Sequence, residues 1–274
     1  MKVRALLNKV EELLLKKGET ERETINLLKA IRMDHPALNL LQSSDEVEEA
    51  VASDILEQFA NDVPVQYITS MSHFFGLRFY VNPSVLIPRP ETEELIYNVI
   101  QYVQCTEFNI LDIGTGSGCI PITLKTKCDQ SAVTAIDVSK EALEVARKNA
   151  LHHNVAIDFK QIDFLDKSQW EGLEKYDVII SNPPYISLSE KPLMGVSTLK
   201  HEPEIALFTE SDPLIFYKNI KWFAENHLND NGAIFMELNE FNAQKTLAIF
   251  EDDYECELIE DMQGKTRILK CNKK

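Results

Sequence analysis

From residue 107 onward the sequence alternates between short apolar runs and longer stretches whose apolar residues recur at helical spacing. Residues 109–113, 133–137, 157–162, 177–181 and 233–238 read as strands, and 139–151 and 213–228 are the clearest helices between them. Strands apolar on both faces need cover on both, and crossover helices supply it. This part of the chain is expected to form an α/β fold with a Rossmann-like, mostly parallel sheet. Residues 256–259 and 267–270, joined around Gln263-Gly264, add an antiparallel pair, so the last strand should run against the others.

The first 60 residues follow a different period. Val3, Leu6, Leu7, Val10, Leu13 and Leu14 fall on one helical face, and Gly18 is placed to end that helix. Thr20 and Glu23 form a capping-box pattern ahead of Ile25, Leu28 and Ile31. Ser44 is placed to cap a third helix carrying Val47, Val51, Ile55 and Phe59. Short amphipathic helices cannot bury their stripes singly, so these should pack as a bundle. Alternation of Phe75, Leu77, Phe79 and Val81, with turns at Gly76 and Asn82-Pro83, predicts a hairpin-like bridge. Pro88-Arg89-Pro90-Glu91 then opens a helix with Leu95, Ile96, Val99 and Val103 on its inner face. The chain divides on this reading into an N-terminal helical domain (1–72), a β-hairpin linker (73–88) and a catalytic domain (89–274). The first lies apart from every chemical motif and reads as a module for recognising a partner.

The 28 basic and 44 acidic residues leave a formal charge of −16. That repels a phosphate backbone and disfavours stable nucleic-acid binding, while fitting a protein or small-molecule partner. Cys105, Cys119, Cys128, Cys256 and Cys271 contain no C-x-x-C pair and are expected as reduced thiols, not as a disulfide framework or a zinc site. No metal is expected. No apolar run approaches the ~18 residues needed to span a bilayer, and Glu11 and Glu12 interrupt the one leader-like start. A cytoplasmic location without membrane association is the expectation.

Two segments carry chemistry. Asp112-Ile113-Gly114-Thr115-Gly116-Ser117-Gly118 follows the first strand of the sheet and leads into a helix. Glycines there let the backbone turn sharply and let a ligand approach the amides at the helix start. Asp137 ends the next strand, where a carboxylate can accept both hydroxyls of a ribose. The cofactor-binding set is thus Gly114, Thr115, Gly116, Ser117, Gly118 and Asp137, and S-adenosylmethionine fits the loop as well as NAD does. Asp163 closes the third strand as an acceptor for an adenine amino group, and Phe164 offers a ring to stack on it.

The second segment is Ser181-Asn182-Pro183-Pro184-Tyr185, at the end of the fourth strand. The Asn182 side-chain oxygen and the Pro183 carbonyl are two acceptors on a backbone stiffened by Pro183 and Pro184. They can grip both hydrogens of a planar NH2 group and aim its nitrogen at a methyl donor, with Tyr185 packed on its plane. Asn182, Pro183 and Tyr185 are the candidate catalytic residues. Together with Pro184 they form the substrate contacts, and Asn182 also borders the cofactor. The group gripped can be an adenine, guanine or cytosine amine, or a glutamine amide.

With these motifs on view, the sequence resembles the HemK/PrmC family of release-factor glutamine methyltransferases. Pro64-x-Gln66-Tyr67-Ile68, Phe74-Phe75-Gly76, Val85-Leu86-Ile87-Pro88-Arg89-Pro90-Glu91-Thr92-Glu93, Glu202-Pro203 with Ala206-Leu207, and Gly264 with Arg267 extend the likeness along essentially the whole chain. The resemblance implies a class I methyltransferase fold, and a monomer is expected. It implies methyl transfer from S-adenosylmethionine, leaving S-adenosylhomocysteine, to the side-chain amide nitrogen (N5) of a glutamine in the GGQ-type loop of class 1 peptide-chain release factors. Three positions depart from the family pattern: Ser70, Thr209-Glu210 and Asn239. Ser187, Ser189, Glu190 and Glu202 read as solvated loop residues or contacts to the substrate backbone, not as a general base. A DNA or RNA base methyltransferase would share the loop and the Asn-Pro-Pro-Tyr motif, but the charge of −16 opposes it. A non-catalytic scaffold is weakened because Gly114, Gly116, Asp137 and Asn182 are all present.

Overall fold

Seven strands form the central sheet of the computed structural model, which describes residues 1–209 and 212–274. They are β3 (Asn109–Ile113), β4 (Ala132–Asp137), β5 (Asp158–Gln161), β6 (Tyr176–Ser181), β9 (Leu228–Glu237), β10 (Tyr254–Glu260) and β11 (Thr266–Lys273), in the spatial order β10-β11-β9-β6-β3-β4-β5. The five strands from β9 to β5 run parallel, and β11 is antiparallel to both of its neighbours, β9 and β10. The expected sheet and its reversed last strand are both present.

Consecutive strand residues are buried on opposite faces, which explains the unbroken apolar runs. Leu111, Ile179, Ile234 and Leu269 pack with Tyr217, Ile220 and Phe223 of α10 (Ile215–His227). Their neighbours Ile110, Ile180, Phe235 and Ile268 pack on the other side with Leu95, Ile96 and Val99 of α5 (Pro90–Val103) and Ile120 of α6 (Cys119–Lys127).

The N-terminal helices α1 (Val3–Lys16), α2 (Glu21–Asp34), α3 (Glu49–Ala60) and α4 (Val65–Thr69) share a core of Val3, Leu6, Val10, Leu14, Ile31, Ile55 and Phe59. The capping box at Thr20 and Glu23 is present in both directions. Ser44 does not cap α3, which starts behind Glu48 without a side-chain cap. Val47 is drawn instead to the chain start: its N–H donates to the Met1 carbonyl and its carbonyl accepts from the Met1 ammonium.

Strands β1 (Met71–Phe74) and β2 (Leu77–Tyr80) form the hairpin, and Phe75 and Gly76 both take positive φ at its turn. Positive φ at both central residues matches the right-handed strand twist. Asn149 of α7 (Lys140–His152) ties this hairpin to the glycine loop: its Oδ1 accepts from the Tyr80 N–H, and its Nδ2 donates to the Tyr80 and Ser117 carbonyls.

Two departures from the family pattern acquire a local explanation. Ser70 ends α4 in the left-handed region, at φ 55°, where glycine carries no Cβ penalty. Ser70→Gly should therefore raise stability by about 0.5–1 kcal/mol, read as a higher melting temperature; a lower one would refute the assignment of strain. Asn239 has ordinary φ and instead accepts from the Phe241 N–H and donates to Glu190. Thr209 pairs with Ser187 where β8 (Phe208–Thr209), which follows the short helix α9 (Glu204–Leu207), lies beside β7 (Ile186–Ser187), while Glu210 lies outside the described residues.

The cysteine expectation is corrected. Cys256 faces Cys271 in the β10–β11 register, and Cys105 approaches Cys128, each pair joined as a disulfide; Cys119 is free and buried. Spacing along the chain carries no trace of a cross-strand neighbour. Among the described residues, no helix is long and apolar enough to cross a membrane.

Candidate active site

The C-terminal ends of the parallel strands converge on one edge of the sheet, where open α/β sheets bind ligands. The loop after β3 holds Gly114, Gly116 and Gly118 at positive φ. Gly118 has a second reason to be glycine, since a Cβ there would lie 2.9 Å from Ile122 Cδ1 and 3.1 Å from Ala146 Cβ. The loop is pinned to β4 through the N–H groups of Gly114 and Thr115, which donate to the Ile136 carbonyl. Asp137 fixes it further: one carboxylate oxygen accepts from the Gly116 N–H and the other from the Ser139 N–H, each at 2.9 Å. Burial pushes the Asp137 carboxyl up, against the lowering effect of these bonds.

Gly114, Gly116, Asp137, Asp163, Phe164 and Asn182 line one cleft, with Pro184 on its rim. Phe164 is mostly core, stacked on Trp170 and edge-on to Phe223. Thr115 and Ser117 are buried with hydroxyls that find no partner among the described residues, and Gly118 packs behind the loop. The charged residues lining the cleft are Asp137 and Asp163, with no lysine or arginine among the described lining residues. A pyrophosphate would bring negative charge to carboxylates, whereas a cation meets its complement.

Asp112 ends up as an unforeseen part of this region. It is fully buried at the end of β3, and neither carboxylate oxygen has a hydrogen-bond partner among the described residues. Burial pushes its carboxyl up to about 7; the nearby Thr115 hydroxyl opposes this and the Asp137 charge adds to it. The folded protein therefore holds this proton to higher pH than the unfolded chain does, so stability should fall as pH rises from about 4 to about 7 and then level off. Asp112→Asn should remove that component, worth at most about 4 kcal/mol, and narrow the gap in melting temperature between pH 5 and pH 8. An unchanged gap would show that Asp112 does not carry it.

Asn182 borders the first cleft and also a second cavity, lined by Arg89, Pro183, Tyr185, Thr198, Leu207 and Glu237. Its Nδ2 donates to the Thr92 hydroxyl at 3.0 Å. Thr92 donates in turn to Glu237 Oε2 (2.7 Å), and the Tyr185 hydroxyl donates to Glu237 Oε1 (3.0 Å). Burial raises the Glu237 carboxyl, opposed by the bonds from Thr92 and Tyr185, and it lifts the Tyr185 phenol as well.

Glu202 departs from expectation. Its carboxylate is only 2% exposed, accepting from Arg89 at 2.5 Å and from the Ile87 N–H at 3.2 Å. It is thus a buried brace between the Pro-Arg-Pro segment and the loop over the second cavity, not a solvated residue. Ser187 and Glu190 form a capping box on the turn after Ile186. Helix α8 (Val196–His201), which walls the second cavity at Thr198, is held by the N-terminal bundle. Ser197 donates to the Asp62 carbonyl (2.7 Å), Lys200 pairs with the Asp62 carboxylate (3.1 Å), and His201 bonds the Asn61 carbonyl (2.9 Å).

Residues 92–207 match the family model described as "Methyltransferase small domain". Over 226 residues the chain is 41% identical to the release factor glutamine methyltransferase of Flavobacterium psychrophilum, covering 80% of this chain and 78% of that one. It is 36% identical to the enzyme of the same name from Streptococcus pneumoniae over 277 residues, covering 98% of each. The chain belongs to the release factor glutamine methyltransferase family. A methyltransferase crystal structure from Pyrococcus furiosus superposes with a TM-score of 0.52 at 22% identity, covering 73% of this chain and 90% of that one, which shows the shared fold.

Of the sequence-derived residues, Gly114, Gly116, Asp137, Asp163, Phe164 and Pro184 line the first cleft, Pro183 and Tyr185 line the second cavity, and Asn182 lines both, whereas Thr115, Ser117 and Gly118 are not among the described lining residues. The supporting residues Arg89, Thr92 and Glu202 stand in the sequence only as pieces of family blocks, and Glu237 closes an apolar strand run with no signal of its own. They are distant in sequence, and only the strand order and the packing of α5 on β9 bring them beside the end of β6.

Proposed function

We propose that the chain transfers a methyl group from S-adenosylmethionine to the N5 amide nitrogen of a glutamine in a class 1 release factor. The observation that carries this reading is the place of Asn182, on the wall shared by an acidic cleft and a second cavity. The acidic, arginine-free lining of the first cleft suits a cationic sulfonium and disfavours NAD. When bound there, S-adenosylmethionine supplies an electrophilic methyl group. Asp137 would take the ribose hydroxyls with the acceptor capacity left beside its two N–H bonds, while Asp163 and Phe164 would receive the adenine. Thr115 and Ser117, with unpaired hydroxyls, belong to the same cofactor loop as Gly114, Gly116 and Gly118.

A glutamine amide nitrogen is a weak nucleophile because its lone pair is delocalised into the carbonyl. Asn182 Oδ1 and the Pro183 carbonyl accept its two hydrogens, raise electron density on nitrogen and fix its position. Tyr185 and Pro184 pack beside the amide plane. Most of the rate enhancement then comes from positioning and preorganised dipoles. The nitrogen gains the methyl as the sulfonium C–S bond breaks, and the methylated nitrogen, now strongly acidic, gives one of its protons to water; Glu237 is not the base in this scheme, since each of its oxygens already accepts from a hydroxyl. The helical segment 1–72 recognises the body of the release factor, 73–88 links it to the catalytic domain 89–274, and the release factor is the protein partner.

The test is incubation with isotopically labelled S-adenosylmethionine and, separately, a release factor, duplex DNA and RNA. Mass spectrometry should place a single methyl on the loop glutamine. Label in nucleic acid, or on a different side chain, would sink the proposal.

A further inference from the structure

The wall behind Asn182 is a chain of hydrogen bonds whose direction is set at one end. Glu237 is 2% exposed, at the end of β9, and both of its carboxyl oxygens accept, Oε2 from the Thr92 hydroxyl and Oε1 from the Tyr185 hydroxyl. The single hydroxyl hydrogen of Thr92 is committed to Glu237 Oε2, so Thr92 can offer Asn182 only lone pairs. Asn182 must therefore turn its NH2 toward Thr92, as the 3.0 Å contact records, which leaves Oδ1 as the atom presented to the cavities it borders. Tyr185, donating to Glu237 Oε1, occupies the other carboxylate oxygen and keeps both ends of the carboxylate accepting. In the reverse orientation Asn182 would set an oxygen against Thr92 without a hydrogen between them, and would aim its own NH2 at an incoming NH2.

We infer that Glu237 and Thr92 are positioning residues that fix the orientation of the Asn182 amide and thereby make the site select an amide NH2 over a carboxylate. This rests on the reading that Asn182 grips a glutamine amide. Two fixed acceptors, Asn182 Oδ1 and the Pro183 carbonyl, welcome the two hydrogens of glutamine and repel the oxygens of glutamate. Discrimination of this kind is strong because a mismatched polar group in a buried site is left unpaired. The lock joins the first turn of α5 to the end of β9, 145 residues apart.

The full-length protein tests this with Thr92→Val, which keeps shape and removes the hydroxyl, Thr92→Ser, which restores it, and Glu237→Gln, whose NH2 can donate to Thr92 and reverse the chain. Steady-state kinetics on a release factor is combined with inhibition by loop peptides carrying glutamine or glutamate. Thr92→Val and Glu237→Gln should lower kcat by about 10- to 100-fold, in line with loss of orientation at a reacting centre. S-adenosylmethionine affinity should stay within about twofold, and the preference for the glutamine over the glutamate peptide should narrow by about tenfold, the equivalent of one misdirected polar contact. Thr92→Ser should keep kcat near the parent value. The double variant Thr92→Val/Glu237→Gln should be no worse than the weaker single, because both act through one chain. If Thr92→Val keeps the parent kcat, or loses kcat with an unchanged peptide preference, the inference falls; the Thr92 pair decides this even where Glu237→Gln fails to fold. Failure of the parent protein to methylate the release factor would instead remove the underlying reading.

Discussion

Asn182→Ala is expected to reduce methyl transfer by about 10²–10³-fold, the usual cost of one preorganised polar contact at a reacting centre, while S-adenosylmethionine still binds. The glycine loop and Asp137 are held by β3, β4 and α7, and among the described residues none of their hydrogen bonds passes through Asn182. Single-turnover rates on a release factor, with calorimetry for the cofactor, separate the two effects. Asn182→Asp is the sharper variant. It keeps shape and an acceptor but sets a carboxylate oxygen against Thr92, whose hydrogen is already given to Glu237. Its charge also favours the sulfonium ground state over a transition state in which that charge disperses. Cofactor affinity should hold or rise as the rate falls. Parent-like transfer by Asn182→Ala would reduce the Asn-Pro-Pro-Tyr segment to a stiff turn.

Asp137→Ala is expected to weaken S-adenosylmethionine binding by roughly 1.5–3 kcal/mol, the worth of hydrogen bonds to a charged group, which is on the order of 10- to 150-fold in Kd. The loss extends beyond the ribose contact, because the Gly116 and Ser139 N–H groups each lose an acceptor. The loop should loosen, and a lower melting temperature should accompany the weaker binding. Asp137→Asn, which keeps one acceptor oxygen, should fall between parent and alanine. Calorimetry showing an unchanged affinity for Asp137→Ala would remove this carboxylate from the cofactor site.

How much of this was legible depended on whether a signal was local. Strands β3, β4 and β6 lie within a residue or two of their expected limits because burial imposes near-continuous apolar runs on them, while the partly exposed edge strand β5 is found close to its expected limits without such a run. Strand β9 starts at Leu228, earlier than expected, since Asn229-Asp230-Asn231-Gly232 has the composition of a turn yet continues the strand after an irregular register at Tyr176. Helix α4 is only five residues long, too short for a period to show. The loop glycines, Asp137 and Asn182 were readable because each sits at the end of an apolar run, where the fold class places ligands. Asp112, Thr92 and Glu237 were not readable as a set. Their chemistry consists of who faces whom across the sheet, and a buried carboxylate looks the same in sequence as a solvated one. Glu202 shows the same limit, read as surface and found bracing Arg89.

The grip of Asn61 and Asp62 on α8 bears on how such an enzyme can be re-engineered. Exchanging the first 70 or so residues to retarget the protein would remove the anchors of the helix that walls the second cavity. The transplant seam therefore cannot follow the proposed linker, 73–88. Two of the three anchors are backbone carbonyls, so a chimera that keeps its turnover must preserve the backbone path at Asn61 and Asp62 and the Asp62–Lys200 pair, with the proposed recognition surface and the cavity shape moving together.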